Sequence, residues 1–412
     1  MSGATSKMNH DIKVASMVSI AHGFSHFYQM ILPPIFAILK IEFDVSFTAL
    51  GLIITLMFAA SGICQMISGF LVDRFGARQI LLSGLALCGG ATLAFSLVQS
   101  YEAMILLAVV VGIGLSVFHP ADLSILTQKI DANRLGRAYA IHALCGNLGW
   151  AVAPPVVVGL TALFDWRTGV AIAGIIGLVY ATLLLFFGKD LTSEPTEETG
   201  QNGSKVDSLA IDLRLLASAP IVLCFCYFTF FAMAIVGIQS FGALSLMELH
   251  SLSFVSATTA LTAFLVASAV GVLLGGIIAD RTPRHHILAM TGTLLASVFM
   301  FAVATVTVSG LTVMVLMIVS GFFLGLTTPS RDLIVRKVTP HNKTGRVFGF
   351  VYAGLDLGSL TMPVLLGWLL DRGDPKFVML TVALFMLVAV PTVLQVRRSS
   401  DQSNYKETAG SS

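Results

Sequence analysis

Twelve long apolar segments fill this chain, and the second six repeat the first. A shift of 209 positions places Gly112 on Gly321, Pro120 on Pro329, Gly136 on Gly345, Arg137 on Arg346, Gly149 on Gly358 and Pro154 on Pro363. A shift of 207 places Gly69, Asp73 and Arg74 on Gly276, Asp280 and Arg281. Glycine, proline and charge set close backbone approach, kinks and loop anchors, so they recur while the apolar filling drifts. The pattern constrains the chain to two equivalent six-helix halves, which in a membrane is an architecture suited to alternating access.

Of the 412 residues, 56% are hydrophobic and only 11% charged, where a soluble chain carries about a quarter charged residues. Most of the surface must therefore face lipid. A helical span takes about 20 apolar residues. The pattern predicts spans over 14–39, 46–72, 79–98, 103–129, 137–162, 167–187, 218–246, 253–279, 286–308, 311–336, 344–370 and 376–396. The fold class expected is an all-α integral membrane protein of twelve transmembrane helices in two pseudo-symmetric six-helix bundles. Residues 1–188 would form the first bundle and 215–398 the second. The polar stretch 189–214 would link them, because its Ser, Thr, Glu and Gly bury too little to order it. Residues 399–412 would be a tail, expected to be mobile. The first apolar run is too long for a signal-peptide core and lacks a small-residue cleavage site, so it is expected to stay as span 1. The cysteines at 64, 88, 145, 224 and 226 all sit in apolar runs, without metal-ligand spacing beyond Cys224-x-Cys226. They read as buried small apolar residues.

Orientation follows from Lys and Arg, which favour the cytoplasmic side. Of 24 such residues, all but Lys40, Arg167, Arg372 and Lys376 fall on one side when both termini share it. Both termini and the 189–214 stretch are therefore expected to be cytoplasmic.

The loop after span 2 reads Gly69-Phe-Leu-Val-Asp73-Arg74-Phe-Gly76-Ala-Arg78, and the loop after span 8 repeats it as Gly276-Ile-Ile-Ala-Asp280-Arg281-Thr-Pro-Arg284. The glycine is expected to permit close helix approach. The acid suits a neighbouring helix N-terminus, where the dipole favours it. A charge-pair latch there would hold one conformation and release in the other. The alternative is a merely solvated turn, which the repetition disfavours. These residues resemble the signature loop of the major facilitator superfamily. The resemblance covers essentially the whole chain and implies two six-helix bundles with spans 1, 4, 7 and 10 around a cavity. It assigns Gly69, Asp73, Arg74, Gly76, Arg78, Asp280 and Arg281 a conformational role. The second loop departs from the pattern, with Thr282-Pro283 at the Phe-Gly step. On span 5, Gly146-Asn147-Leu-Gly149 and Pro154-Pro155 look like a loose form of the superfamily's drug/proton antiporter motif. Packing alone is an equal reading of that run.

Polar residues inside a bilayer are costly and tend to have a task. Span 1 carries His22, His26 and Gln29; span 4 carries His119 and Asp122; span 5 carries His142 and Asn147; span 10 carries Arg331 and Asp332; span 11 carries Asp356. At helical rise, His22, His26 and His119 lie about 12, 18 and 15 Å inside the cytoplasmic ends of their spans. Histidine titrates near neutral pH, so the group suits proton binding, with Asp122 as the paired acid, or attraction of an anion. His142 alone reads equally well as a satisfied interhelical partner. His22, His26 and His119 could share a metal, but no carboxylate-rich or thiolate set accompanies them, and no metal or cofactor is expected. No Walker-type loop or nucleophile–base motif points to an enzyme, and no basic tract points to nucleic acid.

Phe118, His119, Pro120, Gly146, Asn147, Gly149 and Pro154 resemble the fosmidomycin-resistance-type efflux branch of that superfamily over about 40 residues. Here Ala121 intervenes between the proline and Asp122. The resemblance implies proton-coupled export of a small organic, often anionic, compound by a monomer in the bacterial inner membrane, with H⁺ and lipid as its other partners. Proton-coupled uptake of an organic acid or nutrient is the alternative. A non-transporting membrane receptor is the third reading, against which the intact loop and intramembrane ionisable residues argue.

Overall fold

Three of the long apolar segments are not single regular helices, and two of the three interruptions lie beside prolines. The structure, a computed structural model, describes the backbone of residues 2–192, 215–340 and 344–409, and side chains within 7–192, 215–340 and 347–396 apart from Met66. The first span starts as α1 (Ser2–Gln29), stops at a 3-10 turn (Pro33–Ile35) and resumes as α2 (Phe36–Glu42). Pro33 and Pro34 lack the N–H that the helical ladder needs. The fourth span is likewise divided, into α5 (Tyr101–Leu115) and α6 (Phe118–Lys129), with Pro120 in the first turn of α6, where a missing N–H costs least.

Between these lie α3 (Phe47–Phe75) and α4 (Ala77–Phe95), joined by Gly76 alone. Gly76 has φ of 86°, a conformation that strains any side-chain-bearing residue. Helices α7 (Leu135–Leu163) and α8 (Trp166–Phe187) complete the first six spans. Ser46, Ser100 and Asp165 each accept a backbone N–H at the start of α3, α5 and α8, satisfying a donor that a helix start leaves free.

The seventh span runs as α9 (Ala219–Gly237), a π-helical turn (Ile238–Gly242) and α10 (Ala243–His250). Then follow α11 (Phe254–Arg281), α12 (His285–Thr305), α13 (Gly310–Val338), α14 (Thr344–Asp371) and α15 (Pro375–Ala409). Among the described residues, 12 stretches are long and apolar enough to cross a membrane. Large apolar side chains such as Phe70, Leu163, Phe187 and Phe301 remain exposed, as a lipid-facing surface requires.

The chain divides into two compact units, Met1–Glu198 and Thr199–Ser412. In the first, Gly149 of α7 meets the Gly23 carbonyl of α1, and Gly112 of α5 meets the Met57 carbonyl of α3. In the second, Gly358 of α14 meets the Thr229 carbonyl of α9, and Gly321 of α13 meets the Phe264 carbonyl of α11. A Cβ at any of the four would collide with that carbonyl. The repeat is therefore physical: the same glycines hold the same helix pairs in both units.

Four expectations need correction. Gly69 and Gly276 have open space where a Cβ would go, so neither serves close helix approach; each lies on an unpacked side of its helix. Cys64, Cys145 and Cys226 are only partly buried, and only Cys88 and Cys224 fully so. The backbone after Val396 continues as helix to Ala409, since extending an existing helix avoids the cost of nucleation. The first helix begins at Ser2, well before residue 14. Of the expected 189–214 connection, Lys189–Leu191 forms a 3-10 turn, and residues 193–214 lie outside the described residues.

Candidate functional site

Three helices of the first unit converge on one acid. The break at Ser116–Val117 starts α6 at Phe118, so His119 and Asp122 fall in its first turns. On α1, His22 and His26 are one turn apart and share a face. On α7, Gly149 allows the close approach to α1, and Gly146 leaves the space that the imidazoles fill. A Cβ at Gly146 would lie 2.9 Å from both His22 Cδ2 and His26 Cε1.

Asp122 is fully buried. Its Oδ2 accepts from His22 Nδ1 and from His142 Nε2, each at 3.1 Å. The His22 and His142 rings stack, with centroids 3.7 Å apart and planes at 22°. His26 and His119 lie 4.6 and 5.2 Å from the His22 ring. His22 and His142 thus hold Asp122 directly, and His26 and His119 flank the His22 ring. Among the described residues of the cluster, Asp122 Oδ1 and His26 Nδ1 remain buried without a hydrogen bond. By spacing alone, His22, Asp122 and His142 offer ligand atoms within 4.8 Å of one another, a different trio from the His22, His26 and His119 set that the sequence suggested.

Two neighbours expected in the cluster do other work. Gln29 Oε1 accepts from Trp150 Nε1 at 2.8 Å, and the indole stacks on His26 at 4.1 Å. Gln29 therefore orients the ring that covers His26. Asn147 donates to Ala143 O of its own helix at 2.9 Å and so stays out of the acid's shell.

In the second unit Arg331 is buried on α13, its guanidinium 4.2 Å from the Phe228 ring and 4.8 Å from the Phe231 ring. Its Nε donates to Asp332 Oδ1 at 3.0 Å. Asp356 is part-buried on α14 and makes no hydrogen bond among the described residues. Sequence reasoning named Asp122 and Arg331 separately and missed their relation. They stand 209 positions apart, each two residues beyond an aligned proline, Pro120 or Pro329. Likewise His22 and Phe228 stand 206 apart, the offset that relates Gly23 to Thr229. The signal was present in the register of the repeat.

At the loop after α3, Asp73 and Arg74 are exposed, with Arg74 5.4 Å from the Phe75 ring. Arg78 reaches the last turn of α8, donating to Leu184 O at 3.3 Å and Leu185 O at 2.6 Å. Among the described residues Asp73, Asp280 and Arg281 make no ion pair, so the expected charge pairing is not formed here. The pairs that do form were not foreseen. Asp11 Oδ2 accepts from Arg134 Nε at 2.7 Å, and Lys13 Nζ donates to Asp190 at 2.7 Å. Glu42 pairs with Arg167 at 2.6 Å and also accepts from the Trp166 indole. The Lys13 hydrogen bond holds the Asp190 carboxyl below its ordinary value. Opposite charges at span ends were the available sign, but their partners are more than 100 residues apart in sequence.

The family model of the Major Facilitator Superfamily matches residues 18–260 and 229–410. The fosmidomycin resistance protein of Escherichia coli K12 is 23% identical over 392 residues, 95% of this chain and 94% of that protein. The probable sulfoacetate transporter of Cupriavidus necator is 25% identical over 355 residues, 81% of each chain. A solved bacterial homolog to the human lysosomal transporter Spinster, inward-facing and unoccupied, has the same fold, with a TM-score of 0.75 at 16% identity over 95% of this chain and 97% of that one. Matched along nearly its whole length and built of twelve spans in two repeated halves, the chain belongs to the Major Facilitator Superfamily and is a multi-pass membrane transporter of small solutes.

Proposed function

We propose that the protein exports a small organic anion in exchange for protons, and that the cluster of His22, Asp122 and His142 carries the proton. One observation carries this reading: a fully buried carboxylate accepts hydrogen bonds from two stacked imidazoles on two other helices. A buried ionisable group is costly unless it has partners or a task. Histidine changes charge near neutral pH, and alternating access presents one site to either side of the membrane in turn. A proton arriving at the unbonded Oδ1 neutralises Asp122 and weakens both bonds at Oδ2. Those bonds tie α6 to α1 and α7, so proton loading changes the packing of the helices that bear it. His26 and His119 extend the cluster, and Trp150, held by Gln29, covers His26.

Export is supported by the glycine–proline run of α7 and by the relative named for fosmidomycin resistance. An anionic substrate is supported by the relative named for sulfoacetate. The second reading is proton-driven uptake of an organic acid, since the relative named for sulfoacetate is named for no direction. The Lys/Arg asymmetry supports an inner-membrane orientation with both termini and residues 189–214 cytoplasmic. The exposed loop of Asp73, Arg74 and Arg78 serves as a conformational latch in this scheme.

Everted vesicles with an acidic interior test the reading. The protein should accumulate fosmidomycin or sulfoacetate inside them and dissipate the pH gradient as it does so. Accumulation only when the exterior is acidic assigns symport, and the absence of any pH-dependent movement of either compound contradicts proton coupling.

A further inference from the structure

We infer that Arg331, with Phe228 and Phe231, forms an anion-binding address in the second unit, and that Asp332 occupies it as an internal stand-in for the substrate's acidic group. The inference rests on the reading of the chain as an anion transporter and adds the residues that hold the anion. Arg331 occupies the position that Asp122 occupies in the first unit, two residues beyond the aligned proline. Each is met by the equivalent residue of the span that heads its unit: His22 bonds Asp122, and the Phe228 ring lies under the Arg331 guanidinium. One unit thus puts imidazoles against an acid at this address, and the other puts aromatic faces against a base.

A guanidinium with a side-chain exposure of 7% needs compensation. The two aromatic faces provide part of it through cation–π attraction. The rest comes from Asp332 through a single hydrogen bond from Nε, and Tyr352 packs against Phe228. Arginine is suited to two-pronged recognition of carboxylate, sulfonate or phosphonate, and here it is held by its immediate neighbour in the chain through one prong. Asp332 is 36% exposed at its side chain. An acid facing lipid is costly, so the proposed approach of a solute to the guanidinium runs past Asp332. A small anion that enters displaces Asp332 and takes both prongs, while the flanking rings contact its apolar portion.

The test is equilibrium binding to the purified full-length protein in lipid nanodiscs, with no proton gradient. Isothermal titration with sulfoacetate, methylphosphonate and benzoate is compared with the uncharged acetamide. At least one of the anions should bind saturably, and acetamide should not. Asp332→Asn should tighten anion binding by about tenfold, because it removes a competing charge-assisted bond. Arg331→Lys should weaken it by about tenfold, because lysine keeps the charge and loses the fork. This second variant retains the buried cation, so it decides the matter even where Asp332→Asn gives no folded protein. No saturable anion binding, Asp332→Asn binding no tighter, or Arg331→Lys binding as well as the wild type would each overturn the inference. Intact anion binding without proton-driven flux is instead a failure of the proton reading. Proton-driven flux with anion binding indifferent to both variants is a failure of the anion address.

Discussion

Two residues past Pro120 the first unit carries Asp122, and two residues past Pro329 the second carries Arg331. Around them the scaffolds agree, down to the glycine that presses on the carbonyl of the helix heading each unit, Gly149 on Gly23 and Gly358 on Thr229. The chemistry does not agree. Asp122 accepts hydrogen bonds from two histidines, with two more packed on the His22 ring, whereas Arg331 lies between phenylalanine faces and gives one bond to its neighbour. A duplicated backbone keeps the positions at which helices must touch, because a Cβ there is a collision. It leaves free the buried side chains two residues past the aligned prolines, and there the two copies carry opposite charge. Proton handling and anion handling can therefore be assigned to equivalent addresses in different units.

The comparison breaks most severely if the charges are interchangeable. Asp122→Arg and Arg331→Asp each bury a charge among the wrong partners, a cation among imidazoles or an anion between phenyl faces. Each should cost about 3–5 kcal/mol, the usual penalty for an uncompensated buried charge, and should abolish folded yield in detergent. Normal thermal stability of either variant would mean that the address does not select its charge.

The shared scaffold predicts equal effects in the two units. Gly149→Ala and Gly358→Ala each force a methyl onto a carbonyl oxygen, and each should destabilise by about 1–3 kcal/mol, as overpacking does. Thermal unfolding of both variants measures this. A large loss in one unit and none in the other would separate the two helix pairs.

The loops should differ between units. Asp73 precedes Gly76, whose positive φ sets the turn, while the second copy has Thr282-Pro283 at the corresponding step. Asp73→Asn should lower turnover in reconstituted vesicles by about fivefold or more, the range of typical conformational couplings, with unchanged unfolding temperature. Asp280→Asn should lower it less. Equal turnover of Asp73→Asn and wild type would remove the latch.

The smallest effect belongs to a contact without a described counterpart in the second unit, Lys13 with Asp190. Both side chains are substantially exposed, at 53% and 35%, so Lys13→Ala should cost only about 0.2–1 kcal/mol, and less at high salt. Asp190 has a lowered folded pKa. Its contribution is therefore full above the ordinary carboxylate value and disappears as pH falls through the lowered one. Unfolding measured at pH 7 and at successively lower pH should show the Lys13→Ala difference shrinking as Asp190 becomes protonated.

Much of this is legible in the sequence. The repeat, the twelve spans and the membership of His22, His26, His119 and Asp122 in one neighbourhood follow from apolar period, glycine and proline register, and helical rise. His142 was harder to place. Its depth on α7 was readable, but the direction of its ring depends on the Gly149–Gly23 contact that sets the rotation of α7 against α1. Gln29 lies near the His22–His26 stripe by spacing, and Asn147 is five residues from His142 and so turned away from it, yet each found its own partner, the Trp150 indole and the Ala143 carbonyl. Gly69 and Gly276 show the limit of residue type as a guide: each repeats faithfully and neither packs against another helix. The pairing of Asp122 with Arg331 was available from the 209-residue register, but opposite charges do not register as a repeat when identities are sought.

The central claim is that Asp122 carries the coupling proton. It is tested most directly by measuring, in the same proteoliposomes, pH-gradient-driven flux and downhill exchange of a transported anion for wild type and Asp122→Asn. Asparagine keeps the size and an acceptor for one imidazole but cannot take up a proton. The account predicts that driven flux falls by about a hundredfold or more, the scale of a lost proton-transfer group, while exchange persists. Driven flux at the wild-type rate, with exchange unchanged, would contradict it and move the coupling site away from the histidine cluster.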